Sequence, residues 1–209
     1  MVPLFFILTV IGVVVFIIWA ARTHRRRLVA NLTALADRLQ LELVTTKKPL
    51  VGTERRVEGT RHGKAVKFWT FSTGTGKTRR HWAAVAVQPL QAGGLTFQLE
   101  TQGFGTRIAE LFGAKEIQVD DARFDAAWFV RTNEPELFGA ALVPAIREKL
   151  MAARESGAKG DFKLEGGWVS YAEQGNFATE ATVRRLEGLL PVLFDLADAA
   201  EVCAAAGQG

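Results

Sequence analysis

Residues 3–21, Pro-Leu-Phe-Phe-Ile-Leu-Thr-Val-Ile-Gly-Val-Val-Val-Phe-Ile-Ile-Trp-Ala-Ala, carry no charge, and Arg22, Arg25, Arg26 and Arg27 follow almost at once. A helix over that run spans roughly 28 Å, close to the hydrocarbon thickness of a bilayer. The sequence therefore predicts a transmembrane helix over residues 1–21. A cleaved secretory signal fits less well. No positive segment precedes the run, the run outlasts an ordinary signal core, and Ile18-Trp19-Ala20 makes a poor cleavage site. Every nearby lysine and arginine lies C-terminal to the run, so the amino terminus is expected outside and residues 22–209 in the cytoplasm.

Charge divides the remainder. Residues 22–81 hold 15 lysines and arginines against 4 acids, a net of +11, whereas residues 82–209 hold 11 against 18, a net of −7; together they give the formal +4. A basic segment beside an anionic leaflet gains about 1 kcal/mol per cation near the surface. Arg22, Arg25, Arg26 and Arg27 are the candidate membrane-surface residues. A lone Cys203 excludes an intramolecular disulfide.

Beyond the arginines, Leu28, Leu32, Leu35 and Leu39 recur at helical spacing and form one stripe, too short for a confident coiled coil and suited to packing on the chain's own domain. Residues 22–48 read as a basic juxtamembrane helix and linker, and 49–209 as a cytoplasmic α+β domain. Strands are expected at 55–60, 64–71, 81–87 and 95–100, joined as a meander, with His62-Gly63 and Gly93-Gly94 as turns. A short helix over 108–112, a strand over 124–132, helices starting at Pro135 and Pro144, and a hairpin around Gly166-Gly167 follow. A long C-terminal helix over 179–205, kinked at Pro191, closes the chain. The expected fold class is α+β: an N-terminal transmembrane helix, then an antiparallel sheet packed with helices.

Motifs that carry chemistry are thin. Thr73-Gly74-Thr75-Gly76-Lys77-Thr78 ends like a phosphate loop, but Phe71 replaces the first glycine and a strand follows instead of a helix. Gly103-Phe104-Gly105 begins a dinucleotide fingerprint that Ile108 breaks. His24, His62 and His81 are scattered without metal-ligand spacing. Asp120, Asp121 and Asp125 surround a polar turn, and Cys203, Ser72, Ser156 and Ser170 lack a base or a nucleophile elbow. No catalytic, cofactor or metal residue is assigned. Lys64, Lys67, Lys77, Arg79 and Arg80 interleave with Phe68, Trp69, Phe71 and Trp82, a pattern compatible with single-stranded nucleic acid. The same aromatics equally suit a sheet core, so nucleic acid is not the favoured partner.

The segment Phe124-Asp125-Ala126-Ala127-Trp128-Phe129-Val130-Arg131-Thr132-Asn133-Glu134-Pro135-Glu136, continuing to Ala141-Leu142-Val143-Pro144-Ala145-Ile146-Arg147-Glu148-Lys149-Leu150, resembles uncharacterised bacterial membrane-anchored proteins with a C-terminal domain of unknown function. The resemblance implies a bacterial inner-membrane location and carries over no catalytic residue. The expected function is a single-pass, membrane-anchored interaction module. Its partner would be anionic lipid headgroups or a protein, a second copy included. The alternative is an enzyme acting on a membrane-associated substrate through a buried carboxylate among Asp120, Asp121, Asp125 and Glu100.

Overall fold

The computed structural model describes residues 4–48, 52–101 and 115–207. A single helix, α1 (Leu4–Leu39), leads into nine antiparallel strands: β1 (Glu42–Lys48), β2 (Gly52–Arg61), β3 (Lys64–Thr73), β4 (Arg80–Val87), β5 (Phe97–Thr101), β6 (Lys115–Ile117), β7 (Trp128–Thr132), β8 (Asp161–Glu165) and β9 (Trp168–Gln174). Interspersed are α2 (Ala122–Asp125), α3 (Pro135–Ala141), α4 (Pro144–Glu155), α5 (Glu180–Gly188) and α6 (Leu190–Ala206). The strands form one sheet in the order β1-β2-β3-β4-β9-β8-β5-β7-β6.

Alternation assigns the two faces. Val57, Val66, Phe68, Val85, Tyr171, Phe162, Leu99 and Val130 point to one side and are buried. Helices cover that side: α6 packs on β4 and β9, α5 on β4, and α3 on β6 and β7. Among the described side chains of α1, only those of the C-terminal part join in. Leu32, Leu35 and Leu39 are buried, so the leucine stripe packs on the chain's own sheet and α5.

The expected transmembrane helix is corrected here. Among the described residues no helix is long and apolar enough to cross a membrane. The apolar run of α1 ends at Ala21. Arg22, Arg25, Arg26 and Arg27 fill the turns that follow. The fold class is α+β without that span. The integral single-pass partner and the inner-membrane placement with an outward amino terminus lose their basis. Ile11 and Val13 to Trp19 are exposed side chains of α1.

Other elements differ in instructive ways. Thr45 to Lys48, read as linker, belong to edge strand β1, whose lysines suit an unpaired edge. The expected meander holds for β2 to β4 and fails at its fourth strand, because the β8–β9 hairpin lies between β4 and β5. Phe124 and Asp125 belong to the one-turn helix α2, and the strand starts only at Trp128. Pro191 ends one helix and starts another, α5 and α6, since its missing N–H is harmless in a first turn. The turns at His62-Gly63 and Gly166-Gly167 take left-handed backbone at both residues, the geometry that matches strand twist in two-residue hairpins. Gly103, Gly105 and the expected 108–112 helix lie outside the described residues.

Candidate functional site

The sheet face opposite the helices carries the chain's unusual side chains. Its rows can be read across the register: Val44, Arg56, Trp69, Ala84, Ala172 and Asp161 in one, and Glu42, Glu58, Lys67, Ala86, Ser170 and Lys163 in the next. Phe71 and Trp82 stand opposite each other in a third row. None of Trp69, Phe71, Trp82 and Trp168 belongs to the buried core. Phe71 stacks with Trp69 at 6.5 Å and with Trp82 at 6.2 Å between ring centroids, and the Trp82 indole N–H donates to Thr73 Oγ1 at 2.8 Å.

Lys67 sits between two indoles. Its Nζ lies 3.6 Å from the Trp168 ring centroid and 5.0 Å from that of Trp69. Burial pulls this ammonium below the ordinary lysine range, with Glu58 opposing and Arg56 adding to the effect. Glu58, directly across from Lys67, is occupied by Arg56 through Nε at 2.5 Å and Nη2 at 3.2 Å. A groove of about 800 Å³ opens beside them, lined by Arg56, Glu58, Lys67, Trp69 and Trp168, with Gln40 and Leu41 of the α1–β1 connection at its side.

A second feature is the end of the sheet where β3 turns into β4. The Asn31 side chain donates to the Phe177 carbonyl at 2.8 Å, fixing α1 at this end, while Arg61 donates to Leu39 O at the opposite end. Running back from Asn31, α1 therefore leaves the sheet on the side of the β3–β4 loop. Arg27 to Arg22 follow within about 14 Å along the axis. Lys77 and Arg79 on the loop, Arg80 at the start of β4, and Arg22, Arg25, Arg26 and Arg27 on α1 are exposed, and none forms an ion pair among the described residues. Glu54 and Glu180 share this end, and Glu180 is paired with Arg184.

The sequence-predicted nucleic-acid set separates: Lys67, Trp69, Phe71 and Trp82 share the open face, whereas Phe68 is in the core and Lys64 is buried against Asp198 and Glu201 of α6. Thr73 ends β3, and Gly74 to Thr78 lie in the hairpin loop with one 3₁₀ turn.

The acids named for an enzyme have structural tasks. Asp121 caps α2 by accepting from Phe124 N at 3.1 Å and lies 3.4 Å from Arg147. Asp125 accepts from Val119 N at 3.1 Å, and Asp120 takes a left-handed turn conformation. Glu100 accepts from Gln98 Nε2 at 2.7 Å. Among the described carboxylates Asp161 is the one shifted upward, pushed up to about 6 by burial, with neighbouring Glu100 adding and Lys163 opposing. Glu180 is held below its ordinary range by Arg184, and Glu201, against the opposing effect of burial, by Lys64. Nothing in the sequence around Asp161 marks it, because its burial follows from β5 and β9 flanking β8.

Ser72 Oγ lies 2.9 Å from His81 Nδ1, a cross-strand pair on the exposed hairpin that no third group orients among the hydrogen bonds described. His62 packs edge-on against Phe194 at 5.1 Å, and His24 is exposed on α1. No group of three metal-ligating side chains occurs among the described residues. Cys203 is buried in α6, and burial raises its thiol above the ordinary range.

No protein-family model matches the chain, and no curated protein matches it. Among solved structures the chain is similar to the crystal structure of the mycobacterial trehalose monomycolate transport factor A, TtfA, at 12% identity and a TM-score of 0.57. The match covers 86% of this chain and 95% of that one, and what the two share is the α+β fold.

Proposed function

We propose that the chain is a non-catalytic interaction module whose basic end docks peripherally on an anionic lipid surface. The observation that carries this reading is the gathering of Arg22, Arg25, Arg26, Arg27, Lys77, Arg79 and Arg80 at one end of the sheet, all exposed and without ion pairs among the described residues. Cations held for structure find carboxylates, as Lys64 and Arg185 do here. Cations left in water on one surface instead set up a field that attracts an opposite one. The contact is electrostatic and needs no crossing of the bilayer.

The test is co-sedimentation of the full chain with phosphatidylcholine vesicles, with and without phosphatidylglycerol, at low and high salt. Binding is expected only with the anionic lipid and should fade as salt rises. Replacing Lys77, Arg79 and Arg80 by Glu should weaken it at least on the order of a hundredfold, three cations at about 1 kcal/mol each. Equal binding to neutral and anionic vesicles, or no effect of the triple substitution, would refute the reading.

A further inference from the structure

We infer that the open face of the sheet holds a binding groove for an amphipathic anion, with Lys67 receiving its carboxylate or phosphate and the indoles of Trp69 and Trp168 its apolar body. The site is separate from the basic end, and the inference does not depend on lipid docking there.

Lys67 is the starting point. A lysine on a solvated sheet face normally reaches water or the nearest acid. Here the nearest acid by register is Glu58, and Arg56 holds that carboxylate with two hydrogen bonds. Lys67 donates to no described acceptor; its charge rests on two ring faces instead. Cation–π contact recovers part of the lost hydration but gives the three N–H groups no protein oxygen among the described residues. An ammonium in that state gains a charge-assisted hydrogen bond when an anion arrives.

The surroundings select the rest of the ligand. Trp69 and Trp168 flank the ammonium with apolar area, and Ala84 and Ala86 behind them present no polar side-chain atoms. The groove's volume of about 800 Å³ suits a medium-sized small molecule. Glu42 stands toward its β1 side and would repel an anionic head there. The head therefore enters at Lys67, and the chain or ring body lies along the indoles.

A free acid or phosphate and a lipid headgroup supply the same chemistry, and the experiment separates them. The full chain is titrated with decanoate, decyl phosphate, decanol and dihexanoyl phosphatidylglycerol, read by intrinsic tryptophan fluorescence. Saturable binding of an anion, with decanol weaker, is expected, and the better of decanoate and the phosphatidylglycerol names the source. Lys67→Gln should weaken binding about tenfold to a hundredfold, the scale of one charged hydrogen bond, with an unchanged circular dichroism spectrum. Trp168→Phe should remove part of the fluorescence response. Should Lys67→Gln fail to fold, titration of the wild-type Lys67 side-chain resonance replaces it: its pKa rises on ligand addition if the anion sits there. Decanol binding as tightly as decanoate, no binding of any anion, an undiminished Lys67→Gln complex, or a Lys67 titration unmoved by ligand overturns the inference. Vesicle docking by the basic end persists in Lys67→Gln, so failure of one proposal is distinguishable from failure of the other.

Discussion

Replacing Arg185 by Met should expose how much of this domain's stability rests on one buried ionic network. Glu173 points from β9 into the helix layer, and only 5% of its side chain is exposed, against 26% for Arg185. Arg185 donates to it through Nε at 2.9 Å and Nη2 at 2.7 Å, and the Tyr171 hydroxyl donates to it at 2.9 Å. The tyrosine oxygen in turn accepts from the backbone N–H groups of Lys159 and Gly160 at 3.0 and 2.9 Å. Burial, with the Glu173 charge adding, lifts the Tyr171 phenol well above its ordinary range, so it stays a donor.

Removing a partner from a buried pair costs about 3–5 kcal/mol. Water can reach Arg185's place in part, so about 2–3 kcal/mol is expected for Arg185→Met. For a domain of this size that is a fall of roughly 5–10 °C in Tm. Urea and thermal unfolding at neutral pH measure it. The double replacement Glu173→Met with Arg185→Met removes the stranded charge and leaves only the Tyr171 proton unmatched, about 1 kcal/mol. It should therefore be more stable than Arg185→Met alone. A single substitution costing under about 0.5 kcal/mol, or a double mutant less stable than the single, would refute the assignment of this network as the anchor between β9 and α5.

Four further outcomes are expected. Gly160→Ala should destabilise by about 2 kcal/mol or more in urea titration, because the added carbon would meet the Ala172 carbonyl and the Tyr171 ring. Asp161 is raised from 3.8 to about 6 in the folded state, so the fold binds its proton more tightly than the unfolded chain does. Stability should drop by about 1–2 kcal/mol as pH rises from 4 to 7, and Asp161→Asn should flatten that window in chemical denaturation. Glu201→Ala should cost about 1–3 kcal/mol by melting temperature, since Glu201 both pairs with Lys64 and accepts from Leu90 N at 2.7 Å. Deleting residues 1–21 should leave Tm within about 2 °C, because the described side chains from Ile11 to Trp19 are exposed and lie outside the core.

Much of the secondary structure was legible because local chemistry specified it. The left-handed turns at His62-Gly63 and Gly166-Gly167, the prolines at the starts of α3 and α4, and the leucine stripe of α1 each act within a few residues. What escaped was long-range. Nothing near Val87 announces that the next strand beside it is β9 rather than β5. Edge strand β1 was mistaken for linker because its Thr and Lys residues suit either. The candidate groove was half visible: Lys67, Trp69, Phe71 and Trp82 could be grouped from one hairpin, but Trp168 joins them only through register across β4 and β9. Asp161 was invisible for the same reason, its burial set by strands far off in sequence. The N-terminal apolar run misled in the other direction, since its composition suggested a bilayer span that the described helix does not provide.

The late insertion of the β8–β9 hairpin bears on how the protein must be made. Ala83 to Val87 are fully buried in the finished sheet, yet their outer neighbour is residues 169–173, translated long afterwards. Until those residues emerge from the ribosome, β4 and β5 each present a raw, apolar edge to whatever else is nascent nearby. A chain cut short before β9 would therefore yield an adhesive fragment rather than a smaller working domain, and the growing polypeptide should depend on chaperone shelter until the β8–β9 hairpin is synthesised.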